Sequence, residues 1–443
     1  MYSLWSETVT FPSFEALNKN MKTDVLIIGG GITGILTAHY LQQAGVNYIL
    51  VEADTICSGI TKNTTAKITS QHGLIYHKIA KKYGIDAAGL YLEANEAALW
   101  EYRKLTKEFL CDFVNETNYV YTLTRPDKLE QELDTLKKLR FPAEFAQNLP
   151  LPFPTAGAVA FPNQAKFHPL KFLAELAKPL HIYEHTKVQE LVETLAVTNH
   201  GKIQADKIIV TTHFPFLNKH GSYFLKLYQH RSYVLALKDA PKPKGMYVDE
   251  ADKGLSFRTH QNLLILGGGG HRTGKQGGNY NELRCFADKH FPDAKEVYHW
   301  ATQDCVTLDG IPYIGQYSKH TPNLYVATGF NKWGMTSAMV AALLLRDLIT
   351  GKKTPYADVF SPSRSIWHPK LFLNGFESSV NLLTPTRKRC PHLGCALKWN
   401  KAEHTWDCPC HGSRFDYMGN NIYNPANKGL ELINIEDLNR TKK

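Results

Sequence analysis

The residues best suited to chemistry crowd into one stretch near the end of the chain, C-P-H-L-G-C (390–395) and C-P-C-H-G-S-R-F (408–415). Cys390 and His392 form a Cys-x-His pair and Cys408 and His411 a Cys-x-x-His pair, with fifteen residues (393–407) between them. Two thiolates and two imidazoles satisfy either one tetrahedral zinc or a [2Fe–2S] cluster with one iron on cysteines and the other on histidines. Cys395 and Cys410 fall at equivalent places in the two ligand loops, where a disulfide could clip one loop to the other.

A second constellation lies at the opposite end. The segment D-V-L-I-I-G-G-G-I-T-G-I-L-T-A-H-Y-L-Q-Q-A-G-V-N-Y-I-L-V-E-A-D (24–54) reads as strand, glycine turn, helix and strand. Gly29, Gly31 and Gly34 fit G-x-G-x-x-G, which serves a tight turn, close approach of the backbone to a pyrophosphate, and close helix–strand packing. The helix N-terminus offers free N–H groups to that anion. Glu52, at the end of the second strand, is placed to accept hydrogen bonds from an adenosine ribose, so FAD or NAD is expected and NADP is not. The polar run S-G-I-T-K-N-T-T-A-K-I-T-S-Q-H-G (58–73), with Thr61 and Lys67, suits wrapping a phosphate chain and a flavin edge. A later strand, glycine turn and helix over 323–351 place Gly329, Gly334 and Met335 at a second anion-facing helix start. Gly267–Gly270 is followed by too many helix breakers to be another nucleotide loop.

These motifs need scaffolds, and 443 residues with 43% hydrophobic and 21% charged residues suffice for two or three ordinary globular domains. No run of about 18 apolar residues and no signal-like start is present, so a cytoplasmic location without a transmembrane segment is expected. The net charge of +10 is compatible with an anionic substrate, an acidic partner or peripheral contact with an anionic membrane surface. No motif supports nucleic-acid binding. Residues 74–139 read as mostly helical, and 226–270 alternate as short antiparallel strands.

The stretch 390–415 resembles the Rieske iron–sulfur proteins, down to the Gly-Ser after the last histidine. That resemblance implies a [2Fe–2S] cluster on Cys390, His392, Cys408 and His411 beside a Cys395–Cys410 disulfide. The first 364 residues resemble the FAD-dependent oxidoreductases of the D-amino-acid oxidase, glycine oxidase and sarcosine oxidase group, through the 29–34 glycines with Glu52, D-G-I-P-Y-I-G (309–315), and A-T-G-F…G-M-T-S-A (327–338). The whole chain resembles a bacterial group in which the two are fused. The fold class implied is α/β (α+β overall): a Rossmann-like FAD domain (about 22–75, 150–215 and 305–352) interleaved with an antiparallel substrate sheet (about 216–300). A linker (365–389) and a small all-β Rieske domain (390–443) follow. Because few residues precede Cys390, that domain reads as truncated and is expected to lean on the flavoprotein.

The resemblance implies noncovalent FAD and a dehydrogenase that oxidises a small amine or amino-acid-like donor and passes electrons through the cluster to an external carrier. Two alternatives stand beside it: inward electron flow from cluster to flavin, and a redox-sensing protein without turnover. Candidates on the substrate side are Tyr233, Arg258 as a carboxylate clamp, His271 as a base or a structural histidine, and Lys67 near the flavin or on phosphate. The basic triplet 387–389 beside the cluster reads as a dock for an acidic carrier or as a solvated charge run. Phe415 stands where respiratory Rieske proteins carry a tyrosine, which implies a lower potential.

Overall fold

The computed structural model describes residues 3–430 except 218, 219, 366 and 387, so Arg387 and the last part of the 390–443 segment, 431–443, lie outside the described residues. The strand Met21–Ile28 is central because its apolar end, V-L-I-I (25–28), is buried on both faces. It pairs in parallel with Tyr48–Val51 on one side and Lys202–Val210 on the other, and Lys202–Val210 pairs in parallel with Leu324–Thr328. Ile28 is in register with both Val51 and Val210, so the carboxyl ends of these strands open onto one crevice. Parallel order with buried faces is what crossover helices produce. The helices Ile32–Gln43 and Gly334–Ile349 start at this crevice and pack on one another.

A second, nine-stranded sheet carries the substrate-side candidates. Its order runs from Lys295–Thr307 through Leu227–Lys238, Leu263–Arg272, Ser256–His260, Met246–Asp249, Val114–Thr122 and Gly157–Lys166 to Lys67–Ile68. The sheet is mixed, since Met246–Asp249 pairs in parallel with Val114–Thr122. Val114–Thr122 interrupts the span 74–139 that reads as mostly helical. Its N-Y-V-Y-T end is β-branched and aromatic, and pairing on both edges outweighs the helical signal of its neighbours. Gly267–Gly270 lie inside the strand Leu263–Arg272 and build no nucleotide loop.

The C-terminal unit is a four-stranded sheet whose strands are only two or three residues long: Lys398–Asn400, Thr405–Asp407, Arg414–Phe415 and Asn421–Tyr423. Among the described residues its buried apolar cluster has seven members, four of them cysteines. The span that reads as a linker contains a helix, Pro369–Leu383.

Candidate functional site

The glycine turn is shaped by close contacts. Gly29 adopts φ +111°, open to glycine and strained for other residues. A Cβ on Gly34 would fall 1.9 Å from the Gly29 carbonyl oxygen, so this glycine lets helix and strand touch. A Cβ on Gly31 would meet only Thr61 Oγ1 at 3.2 Å, on the side where the Thr61 hydroxyl accepts a hydrogen bond from the Ile32 N–H. Glu52 accepts from the Gly30 N–H at 2.7 Å and the Asp54 N–H at 3.0 Å, and burial raises its carboxyl.

Around this turn runs a cavity of about 1780 Å³, larger than a site for one small ligand. Gly29, Gly31, Glu52 and Thr61 line one end, and Gly329, Gly334 and Met335 line it further along. Gly34 does not, because its contribution is to packing. A cavity of this volume lined by residues at two helix N-termini fits a dinucleotide with room left for a substrate. Cys305 also lines it, but burial pushes its thiol up to about 12, which leaves it a poor nucleophile.

The four substrate-side candidates separate. Lys67 and Tyr233 line the cavity; Arg258 and His271 do not. Burial, reinforced by Arg258, lowers the Lys67 amine to about 7. Arg258 is fully buried; its Nη1 donates to the carbonyls of Thr65 and Ala66 at 2.8 and 2.6 Å, which braces the loop that presents Lys67, and its Nη2 has no hydrogen-bond partner among the described residues. His271 shares hydrogen bonds with the Tyr233 hydroxyl and Asn279 Oδ1 at 3.1 Å each, and with the Arg272 carbonyl at 2.9 Å. It orients Tyr233. Sequence reasoning missed Arg231 and Asp304, which also line the cavity. The Asp304 carboxyl is raised to about 6 by burial, against the pull of Lys332 and Arg231.

The C-terminal loops are near copies of each other. The Cys390 N–H donates to the Cys395 carbonyl and the Gly394 N–H to the Cys390 carbonyl; the Cys408 N–H donates to Ser413 and the Gly412 N–H to Cys408. Gly394 and Gly412 take φ +77° and +82°, the backbone state that closes each loop. Cys395 and Cys410 are joined by a disulfide between the loops. The rings of His392 and His411 lie 4.9 Å apart. Burial lowers them to about 4 and about 3, with His392 adding to the effect on His411, which favours the neutral imidazole that metal ligation requires. Neither ring nitrogen of buried His411 meets a partner at hydrogen-bonding geometry among the described residues. Two thiols, two neutral imidazoles and an adjoining disulfide fit a histidine- and cysteine-ligated [2Fe–2S] cluster. In a structural zinc site the disulfide cysteines would have no assigned part.

These loops press on the substrate sheet. A Cβ on Gly412 would lie 2.2 Å from Gln229 Cγ, and one on Gly274 would lie 2.7 Å from Pro409 Cα. Gln303 Nε2 donates to the Gly412 carbonyl at 2.8 Å. Glu403 of the cluster domain forms an ion pair with Arg231, accepts from Tyr233 at 3.2 Å, and meets Arg414 at 2.9 Å. Asn424 donates to the carbonyls of Thr212 and Phe214 at 2.6 and 2.8 Å. Glu403 and Tyr423 line the same cavity as the glycine turn. Of the basic triplet, Lys388 stacks over Trp406 at 3.7 Å and Arg389 donates to the Leu382 and Gly394 carbonyls.

Comparison with known proteins agrees with this division. Residues 24–348 match the family model of FAD dependent oxidoreductases, and residues 377–434 match that of the Rieske [2Fe-2S] domain. The Rieske 2Fe-2S iron-sulfur protein YhfW of Bacillus subtilis (strain 168) is 36% identical, across 98% of this chain and 97% of its own length. Gamma-glutamylputrescine oxidoreductase of Escherichia coli (strain K12) is 23% identical, across 77% of this chain and 87% of its own. The crystal structure of glycine oxidase from Geobacillus kaustophilus superposes with a TM-score of 0.66 at 19% identity, covering 78% of this chain and all of that one.

Proposed function

The chain belongs to the FAD-dependent oxidoreductase family and carries a C-terminal Rieske [2Fe-2S] domain, and on that premise we propose that it is a dehydrogenase of small amines or amino-acid-like compounds whose electrons leave through the cluster. The observation that carries this reading is the shared cavity, which runs from the glycine turn past Lys67 and Tyr233 to Glu403 of the cluster domain. Bound there, FAD supplies a hydride acceptor that can also release electrons singly, and the cluster supplies a one-electron relay.

The residues divide the remaining work. Gly29 makes the tight turn, Gly31 lets the backbone approach the pyrophosphate, and Glu52 faces the ribose. The helix that begins at Gly334 closes the far side of the cavity. Lys67, with its amine near 7, can take a proton from a substrate ammonium and so expose the lone pair that oxidation of the adjacent C–H requires. Tyr233, held by His271, lends a hydroxyl to the substrate face. Arg231, which could clamp a carboxylate, is already paired with Glu403. Glu403 takes Nε and Nη2 of that guanidinium and leaves only Nη1 without a partner among the described residues, too little for a two-point clamp, so recognition through the amine is favoured, and Asp304 offers it a carboxylate.

The test is an anaerobic titration of the holoprotein with a panel of amines and amino acids, following flavin absorbance together with the EPR signal of the cluster. Bleaching of the flavin followed by cluster reduction is expected. If no organic donor bleaches the flavin, the dehydrogenase reading fails. If chemically reduced cluster then reduces the flavin, the inward direction replaces it.

A further inference from the structure

The helix Pro369–Leu383 is inside out. Its buried residues are Asn374 and Asn381, while every large apolar side chain on it except half-buried Leu371 is exposed. Phe372, Phe376 and Leu383 are 68%, 67% and 83% exposed, and Leu373 and Val380 are exposed beside them. At 3.6 residues per turn these five fall within an arc of about 100°. The polar face is the docked one. Asn374 accepts from Arg272 at 2.9 Å, Glu377 pairs with Lys275 at 2.8 Å, and the Asn381 carbonyl accepts from the Ala396 N–H at 2.9 Å. The polar contacts therefore fix which side of the helix points outward.

The apolar face continues past the helix. Trp367, 74% exposed, precedes it, and Leu393, directly after ligand His392, is exposed next to its C-terminal end. Scattered exposed hydrophobics are ordinary, but eight of the large ones fall within residues 367–393, and a contiguous patch of this kind marks an interaction surface. Its rim is cationic. Lys370 and Lys82 both act on His368 at the helix start, and Arg389 donates to the Leu382 and Thr384 carbonyls at the helix end. The one acid on the helix, Glu377, is spent on Lys275. The whole chain carries a net charge of +10. Among the described residues no helix is long and apolar enough to cross a bilayer.

We propose that this helix lies in the interface of an anionic lipid bilayer, its Trp, Phe and Leu side chains among the acyl chains and its basic rim on the headgroups, with the cluster loop held at the membrane surface. An aromatic and leucine-rich face with flanking cations is the composition that such binding takes, and anionic headgroups supply the complementary charge.

The experiment is flotation of the full-length holoprotein with vesicles of phosphatidylcholine alone and with about one quarter phosphatidylglycerol. Capture by the anionic vesicles is expected, at least about ten-fold stronger than by neutral ones and weakened by salt. Phe372→Glu combined with Phe376→Glu should reduce capture about ten-fold or more with flavin and cluster spectra unchanged. Leu110→Glu, at an exposed position elsewhere, should not reduce it. Tryptophan emission of the wild-type protein should shift to the blue on binding, and Trp367→Phe should remove most of that shift, a readout that does not depend on the glutamate variants folding. Absence of capture, or equal capture by neutral vesicles, overturns the proposal. So does a stable dimer that the double variant dissociates without any vesicle binding, since a second copy would then cover the face.

Discussion

Glu403 is the point at which the cluster domain grips the substrate sheet, and removing its charge is expected to loosen that grip. Its carboxylate lies between Arg231 and Arg414, both buried. Burial by itself would raise this carboxyl, but Arg231 and Arg414 outweigh it and hold the group at about 2 against the usual 4.5. At ~1.36 kcal/mol per pH unit, that difference amounts to about 3 kcal/mol. Removing one partner of a buried pair costs roughly 3–5 kcal/mol, so two independent routes agree. Glu403→Gln keeps the shape but leaves Arg231 uncompensated, whereas Arg414 retains Asp407 at 2.9 Å. In urea, followed by the visible circular dichroism of the cluster and by flavin fluorescence, the cluster transition should move to lower urea by an amount equivalent to about 3 kcal/mol. It should also separate from the flavin transition. Because the folded-state value is depressed, the contribution is fully present above about pH 5 and is lost as pH falls from 4.5 towards 2. The gap between wild type and variant should accordingly be constant from about pH 8 to about 5 and shrink below. Coincident cluster transitions at pH 7 would refute the reasoning. So would a double-mutant cycle with Arg231→Met that gives less than about 1 kcal/mol of coupling.

Three further outcomes follow from the same geometry. Phe415 is buried within the cysteine cluster, so Phe415→Tyr adds a hydroxyl donor there; a bond of about 1 kcal/mol to the reduced state raises a one-electron potential by roughly 40 mV. Ser413 already accepts from the Ala426 N–H at 3.0 Å and directs its own proton towards Cys390, so Ser413→Ala should lower the potential by a similar amount; EPR redox titration of both variants reads this. Gly34→Ala places a methyl 1.9 Å from the Gly29 carbonyl and should yield protein without flavin, while Gly31→Ala, 3.2 Å from Thr61, should retain it with weaker affinity; the flavin-to-protein absorbance ratio and a flavin titration check both. The rate of flavin reduction should rise with pH through about 7 as the Lys67 amine loses its proton, and Lys67→Met should flatten that limb in stopped-flow traces.

What was legible in the sequence is what is local in it. The residues from Gly29 to Gly34 lie in one turn, and each cluster loop is six residues closed on itself, so type and spacing alone carry their geometry. Roles that depend on distant partners were not legible. Arg258 reads as a free clamp, yet its Nη1 is held by the carbonyls of Thr65 and Ala66, some 190 positions away. His271 reads as a candidate base until Tyr233 and Asn279 take its Nε2. Arg231 carries no local signal, because its partner Glu403 lies 172 positions later in another domain.

The helix at 369–383 illustrates a different limit. The span reads as a linker in the sequence, although P-K-L-F-L-N-G-F-E-S-S-V-N-L-L carries the periodicity of a helix with two unlike faces. Periodicity does not say which face meets the protein, because the usual inference assumes that the apolar side packs inward. Here two asparagines and a lysine–glutamate pair take the inner side: Asn374 meets Arg272, Glu377 pairs with Lys275, and the Asn381 carbonyl accepts from the Ala396 N–H, contacts that only the assembled sheet and cluster domain create. The truncated cluster domain makes the same point from the other direction. Its candidate ligands all fall within 390–411, its described strands are two or three residues long, and Gln229, Gln303 and Arg231 of the flavoprotein pack against it. Ligand spacing therefore identifies the cluster, while its position beside the cavity is set by contacts between segments that no local pattern links.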